Sequence, residues 1–182
     1  MDRKRRAEFV SNWIGLGSVG AEIGVWRGDF AQVLLEISLV RHLYLVDPWE
    51  FRRDLPNAWY GGGKIADQKG MDDLVEEVKF RFAKEVDTGR VSIVREKSRD
   101  AVLPEALDWV YIDGDHTFEA VLDDITVWRS RVRNGGTLFL DDYGLEGWWE
   151  NGVTRAVSEA TAAGVVELVE VFESQAVLRI MD

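Results

Sequence analysis

Short runs of strand-forming residues alternate with helix-like segments along most of this chain. Five runs rich in β-branched and aromatic residues lie near 19–24, 42–47, 90–94, 107–112 and 137–140. Between them, apolar residues recur at intervals of three and four, as in Phe30–Ile37 and Leu74–Phe82, which is typical of amphipathic helices. This alternation predicts β/α units, in which helices connect the parallel strands of one sheet.

The clearest helical segment is predicted over residues 117–132. One apolar stripe runs along it, formed by Phe118, Val121, Leu122, Ile125, Trp128 and Val132. Asn134-Gly135-Gly136 is predicted to end this helix, because glycine suits the left-handed conformation of a C-terminal cap. Another amphipathic helix is predicted over residues 150–163, with Val153, Ala156, Val157 and Ala160 facing the core.

The C-terminal part of the chain has a different pattern. Val165–Phe172 and Ala176–Ile180 are strand-like and only three residues separate them, so they are predicted to form an antiparallel hairpin. The complete prediction is one α/β domain over residues 1–182. It is Rossmann-like, with helices on both faces of a seven-stranded, mostly parallel sheet that has one antiparallel strand from this hairpin.

Residues 51–70 are the exception to the alternation. They lack a hydrophobic period and contain Pro56, three consecutive glycines at 61–63, and the neighbouring aromatic residues Trp59 and Tyr60. Long inserts of this kind inside a compact domain are often functional. We interpret 51–70 as a lid or acceptor-binding loop.

Composition excludes several classes of protein. The net charge of −11 over 182 residues argues against a nucleic-acid partner, which would require a basic surface. The absence of cysteine excludes disulfides and zinc-thiolate sites. No apolar run approaches the roughly 20 residues of a membrane span, and no signal peptide is evident, so we expect a cytoplasmic protein. The basic cluster at residues 3–6 is interpreted as the solvated start of a helix, and the oligomeric state is left open.

The first strand ends in a glycine-containing turn, GAEIGVWRGDF at 20–30. Glu22, Gly24 and Gly28 form the pattern E-x-G-x-x-x-G, which differs from the G-x-G-x-x-G of dinucleotide-binding proteins. Glycines at such a turn either let the backbone approach a ligand or serve the turn alone. Asp47 ends the second strand, where an acid can bind the ribose hydroxyls of an adenosine ligand or cap the following turn.

These segments carry a family resemblance. EIGVWRG at 22–28, LVDPW at 45–49 and WVYIDGDH at 109–116, followed by DDY at 141–143, resemble class I S-adenosylmethionine-dependent methyltransferases. The sequence is most similar to small metal-dependent O-methyltransferases such as the macrocin O-methyltransferases, which act on sugar hydroxyls. The resemblance spans about residues 15–143. It implies S-adenosylmethionine as cofactor and a small-molecule or sugar hydroxyl as acceptor.

The resemblance also assigns candidate cofactor-binding residues. Glu22 and Gly24 would hold the methionine end of the cofactor, and Asp47 would hold the ribose. Ser98, in EKSRD, would lie beside the adenine. The predicted cofactor-binding set is completed by Gly28 and by Asp113, at the end of the fourth predicted strand.

Carboxylates follow two strands that we predict to be neighbours. Asp113 follows one, and Asp141 and Asp142 follow the other, so all three should meet at one sheet edge, where protonation or a cation must offset their repulsion. Oxygen ligands favour a hard cation such as Mg²⁺. The resemblance implies that Asp113, Asp141 and Asp142 bind this metal and that Asp115 is the general base.

Other interpretations of these residues stay open. Asp115 stands close to the start of the 117–132 helix and could cap it, and His116 is a second candidate base. A methyltransferase site without a metal, with Asp115 or His116 as its base, is an alternative to the Mg²⁺ site. Trp148 and Trp149 either pack in the core or line an acceptor pocket. Alternative functions are another metal-dependent reaction on this scaffold, namely a hydroxylase or a hydrolase, and a non-catalytic adenosine-ligand-binding protein.

Overall fold

A computed structural model describes residues 2–181. Its sheet has seven strands in the order β3-β2-β1-β4-β5-β7-β6. β1 to β5 are parallel, and β7 is antiparallel to both of its neighbours, so the predicted Rossmann-like α/β fold is confirmed. The strands are β1 (Val19–Ile23), β2 (His42–Val46), β3 (Val91–Val94), β4 (Leu107–Ile112), β5 (Val132–Leu140), β6 (Val166–Phe172) and β7 (Gln175–Ile180).

Helices cover both faces of this sheet. They are α1 (Arg3–Trp13), α2 (Asp29–Ile37), α3 (Gln68–Arg81), α4 (Ala83–Asp87), α5 (Phe118–Arg129) and α6 (Gly152–Ala162). Alternate residues of β4 point to opposite faces, as the pleat of a strand requires. Val110 and Ile112 join the core formed with α5 and α6, whereas Trp109 and Tyr111 join the core formed with α1, α2 and α3. None of the helices within residues 2–181 has the length and apolar run that a membrane span requires.

The predicted end of the 117–132 helix is wrong. α5 ends at Arg129 with Ser130 as its C-cap, and residues 134–136 lie inside β5. There the pairing with β4 shifts from Leu107↔Val132 to Trp109↔Thr137, so β5 carries extra residues between two registers. Gly135 has φ +78°, a conformation that suits a bulge as well as a helix cap. These glycines therefore mark an irregularity within β5 and not the end of α5.

The 51–70 segment contains more regular structure than its sequence predicts. Trp59–Gly61 forms a 3₁₀ turn and α3 begins at Gln68. The backbone also closes on itself, because the Arg52 amide donates to the Tyr60 carbonyl at 2.9 Å. A Cβ atom on Gly61 would stand 1.9 Å from the Leu55 carbonyl oxygen, so glycine is required at 61. The role of this segment as a lid stays a prediction.

Candidate active site

The ends of the parallel strands are fixed by backbone hydrogen bonds that continue the sheet past its last paired residues. In each case the amide of a residue just beyond one strand donates to the last carbonyl of the neighbouring strand. The bonds are Gly24 N to Val46 O (2.9 Å), Asp47 N to Val94 O (3.2 Å), Asp113 N to Ile23 O (2.8 Å) and Asp141 N to Ile112 O (3.0 Å). They place the predicted site residues together at the carboxyl edge of the sheet.

A cleft of about 730 Å³ opens at this edge, within the size range of small-molecule binding sites. Acidic side chains outnumber basic ones along its wall. Within residues 2–181, every buried side-chain polar atom found without a hydrogen-bond partner belongs to a residue of this wall: Arg6 Nε, Glu22 Oε2, Tyr60 OH, His116 Nε2 and Trp149 Nε1. Buried polar groups are normally paired, so their concentration here indicates a site built for a polar ligand.

Glu22 and Gly24 lie at the bottom of the cleft. Glu22 is 2% exposed, and burial together with the carboxylates of Asp113 and Asp47 raises its pKa well above the ordinary value. A cationic group on a ligand would relieve this cost. Gly24 has φ +86°, and a Cβ atom there would stand 2.2 Å from the Asp113 carbonyl oxygen. The turn can therefore approach β4 closely only because residue 24 lacks a side chain.

Gly28 has a packing role. It is the N-cap of α2 with φ +73°, and a Cβ atom on it would meet the Phe82 ring at 2.5 Å. This contact faces the helical layer, whereas the neighbouring residues Arg27 and Asp29 line the cleft. The structure thus accounts for the second glycine of the motif without a ligand.

Asp47 holds the glycine turn in place. Its Oδ2 accepts hydrogen bonds from the amides of Val25 (2.9 Å) and Trp26 (3.0 Å), and its Oδ1 accepts one from the Trp49 amide (2.7 Å). Burial raises the pKa of this carboxyl, and the three amides act against that rise. The predicted capping role is therefore present, and Oδ1 keeps one lone pair for a ligand hydroxyl.

Ser98 lines the same cleft and is tied to α5. Its hydroxyl donates to Asp124 and accepts from Trp128 Nε1 at 2.7 Å. Burial raises the pKa of Asp124 to about 7. Asp124 was not among the predicted site residues, although its position three residues after Val121 and four before Trp128 puts it on the apolar stripe. A carboxylate on the buried face of a helix is the sequence feature that could have identified it.

The predicted carboxylate cluster does form, with His116 inside it. His116 Nε2 lies 3.4 Å from Asp113 Oδ1 and 3.3 Å from Asp142 Oδ2. Both distances allow ion pairs, but neither oxygen has the alignment of a hydrogen bond. Burial alone would lower the pKa of His116, but the surrounding carboxylates outweigh it and raise this pKa above the ordinary value. The pKa of Asp142 is also raised, mainly by burial.

The negative charge of Asp141 is compensated by other groups than His116. One of its oxygens pairs with the guanidinium of Arg6 from α1, and the other accepts from Gln175 and from the Asp142 amide. The Gln175 side chain is oriented by Tyr111, whose hydroxyl donates to it at 2.9 Å. Both oxygens of Asp141 therefore have partners supplied by the protein.

This donor set does not fit the predicted Mg²⁺ site. Within the described chain, no three His, Asp or Glu side chains converge as a metal site requires. Magnesium demands near-octahedral oxygen ligands at about 2.1 Å, whereas Asp141 is bound to Arg6, and His116 stands between Asp113 and Asp142. The structure supports the predicted meeting of the three acids but not magnesium as the group that compensates them.

Asp115, the other predicted base, lies in the turn before α5. Its Oδ1 accepts from the Thr117 amide at 3.0 Å, but Thr117 is itself the N-cap of α5 and the helix has no side-chain capping bond, so Asp115 orders the turn and does not cap the helix. Its Oδ2 lies 4.0 Å from Arg52 NH1, so this carboxylate also joins the 51–70 segment to the sheet edge.

Aromatic side chains form the outer wall of the cleft. Tyr60 meets Trp148 edge-on at 6.5 Å between ring centroids, Trp148 meets Trp149 at 5.6 Å, and Trp149 lies 4.9 Å from His116. Of the two interpretations of Trp148 and Trp149, the structure supports the pocket, since both line the cleft. Tyr60 OH and Trp149 Nε1 are buried in this wall without a hydrogen-bond partner among the described residues.

Comparison with known proteins identifies the family. Residues 21–143 match the family model described as a methyltransferase domain, and this range contains Glu22, Gly24 and Gly28 of the glycine turn and the strand-end carboxylates Asp113, Asp141 and Asp142. The chain belongs to this methyltransferase family. Membership supports S-adenosylmethionine as the methyl donor. A mimivirus protein described as uncharacterized, from Acanthamoeba polyphaga mimivirus, is 35% identical over 148 residues, which are 78% of this chain and 58% of that protein.

Solved structures share the fold. The N-methyltransferase NodS from Bradyrhizobium japonicum has a TM-score of 0.67 at 15% identity, over 99% of this chain and 95% of that one. The O-methyltransferase NovP has a TM-score of 0.63 at 20% identity, over 99% and 78%. A methyltransferase-like protein from Streptococcus mutans, solved with S-adenosylhomocysteine, has a TM-score of 0.60 at 11% identity, over 96% and 94%. At these identities the likeness concerns the fold alone, and the predicted closeness to macrocin O-methyltransferases stays a prediction.

Replacing Asp47 with alanine should weaken S-adenosylhomocysteine binding by about tenfold or more. Hydrogen bonds to a charged group contribute roughly 1.5–3 kcal/mol. The substitution also removes the carboxylate that holds the glycine turn through the Val25 and Trp26 amides. Titration calorimetry measures the affinity, with circular dichroism as the check on folding. Asp73→Ala is the matched control, because Asp73 is exposed and pairs with Lys69 on α3. Equal affinities in the two variants would contradict the ribose assignment.

Proposed function

We propose that this protein transfers the methyl group of S-adenosylmethionine to a hydroxyl oxygen of a small-molecule acceptor. The observation that carries this proposal is the position of His116, which lies among carboxylates in a cleft that lacks partners for several buried polar atoms. A hydroxyl is a weak nucleophile at neutral pH, and a positioned base makes it competent by taking its proton.

The cofactor would lie across the glycine turn. Glu22 and Gly24 would hold its methionine end, where the unpaired Glu22 Oε2 suits the ammonium group. The free lone pair of Asp47 Oδ1 suits a ribose hydroxyl. Ser98 and Asp124 suit the adenine end. Because the cofactor carries a sulfonium and an ammonium, the acidic wall of the cleft favours it electrostatically.

The acceptor would enter beside His116, along the aromatic wall. His116 takes the hydroxyl proton, the acceptor oxygen forms the new bond to the methyl carbon, and the carbon–sulfur bond breaks with its electron pair going to sulfur. The products are a methyl ether, S-adenosylhomocysteine and a protonated imidazole. The protein's contribution is therefore the alignment of donor and acceptor and the removal of one proton. Tyr60 OH and Trp149 Nε1 are available to hold the acceptor.

An amine acceptor is the second candidate. The excess of acidic residues along the cleft would attract a cationic amine as well as the cofactor. The two candidates differ in what the base must do, because a protonated amine is far more acidic than a hydroxyl and can lose its proton to water before it attacks. Loss of His116 should therefore impair transfer to a hydroxyl far more than transfer to an amine.

Two measurements test this function. Calorimetry with S-adenosylmethionine, S-adenosylhomocysteine and NAD establishes which adenosine ligand binds; binding of NAD alone would contradict a methyltransferase. A panel of hydroxyl and amine acceptors, assayed by release of S-adenosylhomocysteine, then identifies the acceptor class. Turnover confined to amines would overturn the hydroxyl assignment. Tight cofactor binding with no turnover on any acceptor would favour a non-catalytic adenosine-ligand-binding protein.

A further inference from the structure

Arg6 is the one residue of the N-terminal basic cluster whose side chain is nearly buried. Its side chain is 13% exposed and its partner Asp141 is 2% exposed, whereas Arg3 and Arg5 are more than half exposed. The interpretation of residues 3–6 as a solvated helix start is therefore wrong for Arg6. Sequence separation explains why pattern analysis missed this contact, since Arg6 and Asp141 lie 135 residues apart.

Helix α1 holds Arg6 in this place through contacts on either side. Arg5 pairs with Glu173 at 2.8 Å, and Phe9 stacks on Phe172 with ring centroids 4.7 Å apart, so the helix rests on the β6–β7 hairpin. Arg3 pairs with Asp29 at the start of α2 at 3.3 Å. With α1 anchored to both elements, the guanidinium of Arg6 is directed at the sheet edge.

The charge balance at this edge requires cations. Asp113, Asp141 and Asp142 stand close together, and a buried carboxylate is costly unless it is paired and hydrogen-bonded. Arg6 supplies a permanent positive charge, because a guanidinium stays protonated in proteins. A divalent cation at Asp141 would need the oxygen that Arg6 occupies and would be repelled by its charge.

We propose that Arg6 takes the place of the divalent cation in this cluster, so that the protein performs methyl transfer without a bound metal. The proposal rests on the methyltransferase function proposed above. Arg6 compensates Asp141, and the imidazole of His116 stands between the two other carboxylates. The Nε–H of Arg6 is buried without a hydrogen-bond partner within the described residues. Arg6 is a charge-compensating residue that fixes the cluster, whereas His116 contacts the acceptor.

Binding of Mn²⁺, a paramagnetic substitute for Mg²⁺, tests this proposal without an acceptor. Electron paramagnetic resonance measures it for the wild-type protein, Arg6→Gln, Arg6→Lys and Arg5→Gln, each with S-adenosylhomocysteine. Arg6→Gln should bind Mn²⁺ at least about tenfold more tightly than the other three proteins, because it alone lacks the charge that excludes the metal. Arg5→Gln is the matched control, since Arg5 is on the same helix and pairs with Glu173 outside the cleft.

Three other outcomes would contradict the proposal. If the wild-type protein binds Mn²⁺ as tightly as Arg6→Gln does, the metal does not compete with Arg6 and the proposal is wrong. If neither binds Mn²⁺, Arg6 is not what excludes the metal and the proposal also fails. A double variant, Arg6→Gln with Asp142→Asn, should lose the acquired affinity; unchanged affinity would place the ion elsewhere. Calorimetry with S-adenosylhomocysteine on the same samples tests the cofactor site separately. Loss of the proposed function can therefore be distinguished from failure of the Arg6 proposal.

Discussion

Replacing His116 with glutamine is expected to lower turnover by about 10²–10⁴-fold, the usual contribution of a general base. Glutamine preserves a polar side chain of similar length but cannot take a proton. Binding of S-adenosylhomocysteine should change little, because Glu22, Gly24 and Asp47 supply the contacts proposed for the cofactor. Initial rates with saturating cofactor, once the acceptor panel has identified a substrate, measure the effect.

The matched control is His42→Gln. His42 lies at the start of β2, where its ring bonds to the Gly89 carbonyl (2.8 Å) and to the Ser92 hydroxyl (3.0 Å), at the opposite end of the strand from the cleft. Its substitution should leave turnover nearly unchanged. If His116→Gln is as active as this control while Asp115→Asn is inactive, the base is Asp115.

The pH dependence of turnover gives an independent check on the same residue. Only the neutral imidazole can take a proton, so turnover should rise with pH through the pKa of His116. Since nearby carboxylates raise that pKa, the rise should occur at a higher pH than for an ordinary histidine. Asp142→Asn removes one of these charges and should move the rise to lower pH. A profile that is flat across this range would contradict proton removal by His116.

The sequence predicted most of the sheet edge because parallel strands leave few alternatives. When β/α units repeat, the residue after each strand must lie at one edge of the sheet, so Asp47, Asp113 and Asp141 could be placed together without knowing any side-chain contact. The C-terminal hairpin followed from the three-residue spacing between two strand-like runs. In both cases, short-range pattern and topology determined the result.

What the sequence did not predict depends on contacts between distant residues. Arg6 belongs to a helix whose basic cluster looks solvated, and only packing of α1 on the β6–β7 hairpin directs this side chain at Asp141. Residues 134–136 could equally end a helix or form a bulge, and the pairing with β4 decided between these outcomes. Asp124 interrupts the apolar stripe of α5 because it accepts a hydrogen bond from Ser98. The sequence predicted Ser98 beside a ligand and gave no indication of its contact with α5.

Replacing Gly24 with alanine is expected to lower the free energy of unfolding by about 2–5 kcal/mol. A side chain in the left-handed region costs about 1–2 kcal/mol, and overpacking a dense interior adds about 1–3 kcal/mol. Both costs apply, because Gly24 has φ +86° and its added Cβ would stand 2.2 Å from the Asp113 carbonyl oxygen and 2.5 Å from Gly114 Cα. These atoms are backbone of the neighbouring β4 end and cannot move aside as a flexible side chain could.

Urea denaturation of Gly17→Ala separates the two costs. Gly17 has a similar φ of +71°, but a Cβ atom on it would meet nothing within 4 Å, so this variant should lose only the conformational part, about 1–2 kcal/mol. The difference between the variants then measures the close approach of the glycine turn to β4. That approach also fixes Asp113 beside Glu22, so Gly24→Ala should weaken S-adenosylhomocysteine binding while Gly17→Ala should not. Equal destabilisation and equal affinity in the two variants would show that Gly24 is needed only for its φ angle and that the cofactor turn tolerates a side chain there.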